Sequence, residues 1–417
     1  MRRVLALLAS TALVLAMLPA VAVAAPQTSG SQQAVIVVFD DAVASPAAAA
    51  AELGARHGFA PAFIYQHALK GFSASVPGVA VAGLSRDPRV ASVEVDQLVH
   101  IDAHATPTGV SRIFAPANAG IDIDDADDMR VDVDVAIIDS GIDLDHPDLN
   151  VVASTNCTGG GVFRASCGSG GDDDNGHGTH VAGTVAALDN DFGVVGVAPG
   201  ARLHAVKVLG ADGSGYFSWI VAGIDWVTAR AGTIEVANMS LGGAGTEPAG
   251  APGVCTTGDA YHDSICRSVA GGVTYVVAAG NSSADSANHV PAAYDEVITV
   301  SALADFNGEP GGGAPSTCRN DVDDTLANFS NFGADVDLIA PGVCIDSTWL
   351  GGGYNSISGT SMASPHVAGA AALYKVANPT ATPAQVKTGL QGTATLDWDS
   401  SDDRDLVKER LLNVDAY

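Results

Sequence analysis

Short apolar runs recur along the chain, and many of them end in a polar residue beside a glycine or serine. Between residues 34 and 101 the pattern predicts strands over 34–39, 61–67, 71–76 and 90–95, with helices over 46–57 and 77–87. That order, β-α-β-β-α-β, fits a small ferredoxin-like α+β unit. From residue 103 onward the runs at 133–138, 203–209, 236–241, 273–279, 297–303 and 336–340 read as strands. Helical stretches fall at 179–188, 217–230, 260–270, 362–376 and 383–390. Continuous apolar strands alternating with helices predict an α/β fold, a mostly parallel sheet flanked by helices on both faces. In such sheets ligands bind beyond the carboxyl ends of the strands. Asp139, Ser240 and Asn281 punctuate three of these runs there.

The first 24 residues stand apart. Arg2 and Arg3 precede an apolar run over 4–18, and Pro19 and Ala22-Val23-Ala24 follow. A basic start, a run too short to span a bilayer and a small-x-small end predict a secretory signal peptide. The expected division is 1–24 signal peptide, 25–102 small domain with its core at 34–101, and 103–417 large domain. No later stretch is long enough to span a membrane, so a soluble, secreted, extracellular protein is expected.

Composition sharpens this picture. Hydrophobic residues make up 47% of the 417, enough for a core, and charged residues only 16%. Nineteen Lys and Arg stand against 47 Asp and Glu, a net charge of −28. Nearly all of the excess lies after residue 102, where 13 basic residues face 40 acidic ones. A surface so acidic repels phosphate backbones and anionic membranes, which argues against nucleic-acid and membrane partners and makes Ca²⁺ a reasonable one. It also suits either high-salt adaptation or a compositional habit of the source. The acid-rich stretches 122–134 and 397–405 read as solvated surface. Six cysteines, all after residue 156, allow 15 pairings. The expectation is neighbour pairing, Cys157 with Cys167, Cys255 with Cys266 and Cys318 with Cys344, because each couple brackets a loop-like stretch. No C-x-x-C spacing supports a metal instead.

Three separated segments carry the chemistry. Asp139-Ser140-Gly141 places a carboxylate at the end of a buried run, where it needs a partner. Residues 175–188, NGHGTHVAGTVAAL, place His177 at the start of a small-residue helix, with glycines at 176 and 178 expected to leave the ring room. Residues 359–366, GTSMASPH, place Ser361 before a helix whose first turn is expected to hold Pro365. A serine hydroxyl needs a base, a histidine is the natural base near neutrality, and that histidine needs an acceptor on its other nitrogen. Asp139, His177 and Ser361 supply those roles. An oxyanion formed on attack needs donors, and the Ser361 N–H and the Asn281 side-chain amide are the candidates.

The chain order Asp, His, Ser is that of subtilisin, and the serine is not in a G-x-S-x-G elbow. DSGIDLDHPDL (139–149), HGTHVAGTVAAL (177–188), KVLGADGSG (207–215), MSLGG (239–243), AAGN (278–281) and GTSMASPHVAGAAAL (359–373) together resemble the secreted bacterial subtilisin-like serine proteases, or subtilases. The resemblance runs from residue 34 to 417. It implies a serine endopeptidase that hydrolyses peptide bonds through an acyl-enzyme on Ser361. It implies that protein or peptide substrates lie as an added strand against Leu209, Ser214, Gly215, Ser240, Leu241 and Gly242. It implies that residues 34–101 are a pro-domain, a folding aid and intramolecular inhibitor removed by self-cleavage near 101–105, the mature enzyme being a monomer. It also implies a structural, non-catalytic Ca²⁺ held by main-chain oxygens of Leu188, Phe192 and Val194 with the side chains of Asn190 and Asp148. Asp172, Asp173 and Asp174 read either as a second cation site or as a solvated acidic loop. His289 falls near the expected floor of the primary specificity pocket, or else on the surface. The alternative in another class is a non-catalytic, peptide-binding subtilase relative.

Overall fold

The structure is a computed structural model that describes residues 32–96, 104–159, 167–405 and 407–416. The expected signal peptide lies outside the described residues, as do residues 101–103 of the expected cleavage segment. The chain divides into two compact units after Ile101.

The first unit comprises β1 (Gln32–Phe39), α1 (Pro46–His57), β2 (Pro61–Tyr65), β3 (Gly71–Pro77), α2 (Gly78–Leu84) and β4 (Val90–Val95). Its antiparallel sheet has the order β2-β3-β1-β4, the arrangement of a ferredoxin-like unit. Alternate residues of the central strand, Val35, Val37 and Phe39, pack on Leu53, Phe72 and Leu84. Ser45 caps α1 and Pro46 occupies its first turn, while Gly58 closes it in the left-handed conformation at φ 77°.

The second unit begins with α3 (Thr108–Arg112), β5 (Asp134–Asp139), β6 (Val151–Asn156), α4 (His177–Ala186), β7 (Arg202–Lys207) and α5 (Phe217–Thr228). There follow β8 (Val236–Met239), β9 (Gly243–Ala244), α6 (Ala260–Ala270), β10 (Thr274–Ala278), β11 (His289–Val290) and β12 (Ile298–Ala304). The remainder is β13 (Thr325–Leu326), β14 (Leu338–Pro341), β15 (Ile345–Trp349), β16 (Gly353–Ile357), α7 (Thr360–Ala377), α8 (Pro383–Thr393) and β17 (Arg410–Leu411). The main sheet runs β17-β14-β12-β10-β8-β5-β7-β6, all parallel, and β13 adds antiparallel to β12. β5 shows why its sequence is apolar throughout. Val135 and Ile137 enter one core with residues of α4 and α7, while Ala136 and Ile138 enter the other with residues of α5 and α6. A strand buried on both faces has no solvent side to encode.

Three disulfides join Cys157 to Cys167, Cys255 to Cys266 and Cys318 to Cys344, the neighbour pairing expected from the loops they close. The longest closes 26 residues, worth about 3.5 kcal/mol in the chain-entropy account. Among the described residues no helix is long and apolar enough to cross a membrane.

The acid-rich stretches are not uniformly solvated. Asp134 is buried and accepts from His204 at 2.6 Å and from Arg202 Nε at 2.7 Å, and Asp403 is buried as well. In the 172–174 run Asp172 and Asp174 are exposed, as a solvated loop expects, but Asp173 is not. Asp173 is buried and accepts from Ser140 Oγ, the N–H groups of Asn175, Gly176 and Thr179, and Thr179 Oγ1. Burial pushes its carboxyl upward, but these hydrogen bonds prevail and hold it below the usual range. Asp174 pairs with the buried Lys207 at 2.5 Å, and Asp172 accepts from the Leu144 N–H. Asp173 is therefore a clamp that fixes the start of α4.

Candidate active site

β10, β8 and β5 are neighbours in the sheet, so their carboxyl ends open onto one edge. Asp139 is the last residue of β5, Ser240 follows β8, and Asn281 follows β10 by three residues. His177 opens α4, and Ser361 is the second residue of α7.

Asp139 is fully buried. Its Oδ1 accepts from the Ser140 N–H at 2.7 Å and meets His177 Nδ1 at 2.8 Å. A carboxylate can only accept, so Nδ1 carries the proton and Nε2 keeps its lone pair. Among the described residues Oδ2 has no hydrogen-bond partner. Burial works to lower the His177 pKa, but the Asp139 charge and hydrogen bond outweigh it, and the net displacement is upward from 6.5. The glycines flanking His177 serve backbone approach rather than room for the ring. A Cβ on Gly178 would lie 2.1 Å from the Gly141 carbonyl oxygen, so only glycine lets α4 start against the end of β5. Gly176 sits at φ 103° against the Trp349 ring. The second histidine of the motif, His180, is buried and bonds through Nε2 to the carbonyls of Ile345 and Asn355, tying α4 to the β15–β16 hairpin. Burial drives its pKa down to about 3, which leaves His177 as the base.

Pro365 lies inside α7, not in its first turn. The helical partner of the Ser361 carbonyl would be the N–H of residue 365, which proline lacks. Ser240 Oγ donates to that carbonyl instead, at 2.7 Å. Ser240 Oγ in turn receives Asn238 Nδ2 at 2.9 Å, and Ser364 Oγ donates to Asn238 Oδ1 at 2.7 Å. This buried chain pins the start of α7 to the end of β8. Ser361 Oγ donates to the Ser240 carbonyl at 3.2 Å and makes no hydrogen bond to His177 in this state. Ser240 and His177 line the same cleft, and such contacts tighten when substrate is bound.

Asn281 Oδ1 accepts from the Thr360 N–H at 2.8 Å and from Thr360 Oγ1 at 3.0 Å. Because an N–H can only donate, these contacts fix the amide's orientation and leave Nδ2 as the free donor. The Ser361 N–H lies in the first turn of α7, where amides have no helical acceptor and the helix end is positive. Thr360 escaped the sequence reading. Thr360→Val removes one of the two anchors on Asn281, and about a fivefold fall in kcat with little change in KM is expected from losing about 1 kcal/mol of positioning. Thr360→Ser keeps the hydroxyl and restores the rate, and steady-state kinetics on all three proteins checks this.

A cleft of about 420 Å³ borders the site. All six residues expected to contact substrate, Leu209, Ser214, Gly215, Ser240, Leu241 and Gly242, line it together with His177. Asn175, Phe217 and Ile220 line it too and were not foreseen. His289 is half-buried, and a Cβ on Gly242 would lie 2.4 Å from its Nε2, so its ring packs behind this wall rather than standing on the surface. Burial lowers its pKa below 6.5.

The five residues expected to hold calcium gather around Asp148, which is fully buried. Its carboxylate accepts from Asn190 Nδ2 at 2.8 Å, the Val194 N–H at 3.2 Å and the Tyr354 hydroxyl at 3.2 Å. Its main-chain oxygen accepts from the Leu188 N–H, and the Phe192 N–H donates to Asn190 Oδ1. Burial pushes the Asp148 pKa up to about 6.

The Subtilase family pattern matches residues 131–413. Subtilisin NAT of Bacillus subtilis subsp. natto is 43% identical over 326 residues, which cover 78% of this chain and 75% of that protein. An alkaline protease of Shouchella clausii is 39% identical over 338 residues, 81% of this chain and 76% of its own. Among solved structures, a cold adapted subtilisin-like serine proteinase is 32% identical with a TM-score of 0.58, covering 74% of this chain and 98% of the other. With the fold, the strand-end site and these similarities in agreement, the chain belongs to the subtilase family and is a serine endopeptidase.

Proposed function

We propose that the chain is a secreted zymogen whose peptidase unit cleaves peptide bonds through an acyl-enzyme on Ser361. The observation that carries this reading is the buried Asp139 bonded to Nδ1 of His177 at the mouth of the cleft whose Ser240 carbonyl receives the Ser361 hydroxyl. A substrate strand lies between the 209–215 and 240–242 walls. Ser361 Oγ attacks the scissile carbonyl carbon as His177 Nε2 takes its proton, and Asp139 stabilises the imidazolium that forms. Asn281 Nδ2 and the Ser361 N–H donate to the oxyanion. As the C–N bond breaks, His177 returns the proton to the departing amine. Water, deprotonated by His177, then hydrolyses the ester and frees Ser361.

In this reading residues 25–102 are the pro-domain, and the enzyme cuts its own chain near 101–105. Full-length wild type accumulates as a shortened chain with a new N-terminus in that segment. Full-length Ser361→Ala keeps residues 25–102 attached, and N-terminal sequencing of the secreted product distinguishes the two. Processing of the Ser361→Ala chain in a host lacking other proteases contradicts self-cleavage.

The Asp148 loop suits a structural calcium ion. A buried carboxylate displaced upward in pKa is relieved by a cation, and the carbonyls of Leu188, Phe192 and Val194 receive no hydrogen bond among the described residues. The ion would brace the loop after α4 and take no part in the chemistry. A ligand at a thousandfold excess over its Kd contributes about 4 kcal/mol, on the order of 5–10 °C in Tm for a unit this large. Chelation of the Ser361→Ala protein, which cannot digest itself, lowers Tm by that amount. An unchanged Tm on chelation excludes the ion.

A further inference from the structure

Glu247 lies in the loop after β9, His262 in α6 and Glu296 in the turn before β12, and none of them lines the substrate cleft. We propose that these three side chains form a second metal site, one that takes zinc rather than calcium. His262 is fully buried. Its Nδ1 faces Asp263 Oδ1 at 3.3 Å, and since a carboxylate accepts, Nδ1 carries the proton. In the neutral ring Nε2 is then a lone pair, and it faces two carboxylates, Glu296 Oε2 at 3.3 Å and Glu247 Oε1 at 3.5 Å. It makes a hydrogen bond to neither, and among the described residues both Glu247 oxygens and Glu296 Oε2 are likewise buried without a well-formed hydrogen bond, the Asp295 N–H being a weaker donor near Glu247. Three electron-rich groups facing one another in a buried space require a positive centre between them.

The two separations from Nε2 fit a tetrahedral ion, and all three ligand atoms lie within 4.8 Å of one another. Ligands about 2.0–2.1 Å from zinc stand roughly 3.3–3.4 Å apart at the corners of a tetrahedron, close to the two separations from Nε2. The Asp263–His262 pair is the carboxylate that orients a metal-binding imidazole. A set of one imidazole and two carboxylates suits zinc, whereas calcium asks for six to eight oxygens at longer range. The Glu247 side chain is about one-quarter exposed, although both of its oxygens are buried. The site also has a structural consequence. Gly253 N–H donates to the other Glu296 oxygen at 2.6 Å, and Thr257 and the Cys255–Cys266 disulfide fasten the same loop to α6. Zinc would close this loop at its open end, where Glu247 sits.

The test uses the full chain carrying Ser361→Ala, stripped of metals and then saturated with calcium, with Zn²⁺ added as the probe. Calorimetry is expected to show one zinc lost from the binding stoichiometry, or its affinity reduced at least tenfold, in Glu247→Gln and in His262→Gln. Zinc is expected to raise Tm of the parent and not of either variant. Because His262 is buried and its replacement can impair folding, Glu247→Gln on the partly exposed loop is the deciding variant. No zinc uptake by the parent means that a proton neutralises the cluster and overturns the proposal. Equal zinc affinity and an equal Tm rise in Glu247→Gln place the ion elsewhere and overturn it as well. Neither readout depends on peptidase activity, so this site and the active-site reading fail separately.

Discussion

Ser361→Ala is expected to lower kcat by about 10⁶-fold on a peptide substrate, the loss that removing the triad nucleophile causes in subtilisins. KM should change little, because the cleft walls that bind the peptide strand lie at 209–215 and 240–242 and do not depend on the hydroxyl. The substitution should also leave the fold intact. The helix start is held through the Ser361 main-chain carbonyl by Ser240 Oγ, and the side chain contributes a single 3.2 Å hydrogen bond to the Ser240 carbonyl. A residual rate well above that of water would remain from the oxyanion donors and from binding. Single-turnover and steady-state kinetics on the parent and on the variant, the latter freed of residues 25–102 by an added protease that is then removed, measure the effect, and a loss of less than a hundredfold contradicts the role given to Ser361.

Asp139→Asn is expected to cost about 10⁴-fold in kcat. The asparagine keeps the volume of a fully buried side chain and an acceptor for the Ser140 N–H, so the loss is one of charge and of the histidine tautomer that the carboxylate fixes. Imidazolium forms at His177 during attack, and without the Asp139 carboxylate it loses its hydrogen-bonded counter-charge, with only the weaker influence of Asp173 left to offset it. The pH profile separates this from a structural effect. In the parent, kcat/KM rises with pH as His177 becomes neutral, and the acid limb lies above 6.5 because the Asp139 charge outweighs burial. In Asp139→Asn burial is opposed only by the weaker Asp173 charge, so the acid limb of the residual activity moves to lower pH. An acid limb that stays in place while kcat falls contradicts the electrostatic role.

How far the sequence could be read depended on what each residue faces. Six of the eight parallel strands were legible because both faces are buried, which turns them into unbroken apolar runs, while β6 and β17 at the two ends of the sheet passed unread. The helix Ala260–Ala270 was read to both ends because Asp259 caps it and two glycines follow. The β15–β16 hairpin passed unread because its strands, IDSTW and GYNSI, show no apolar alternation. Ile345 and Ser347 are buried, while Asp346, Asn355 and Ser356 are exposed. Within the site, Asp139, His177, Ser361 and Asn281 could be named from local motifs. The groups that hold them could not. Asn238, Thr360 and Ser364 act across the space between β8, β10 and α7, and a hydrogen bond between residues more than a hundred positions apart, as from Ser364 to Asn238, leaves no local pattern. Asp173 was misread for the related reason that an acidic run resembles surface until its five partners are seen.

The central claim is that Ser361 is a nucleophile activated by His177. Reaction of the mature protein with a fluorophosphonate, followed by mass spectrometry of the tryptic peptides, tests it most directly. The account predicts one adduct per chain, on Ser361, formed at a rate that rises with pH along the His177 titration and absent from Ser361→Ala. A folded mature chain that takes up no reagent, or takes it up on another residue, contradicts it and leaves a peptide-binding protein in its place.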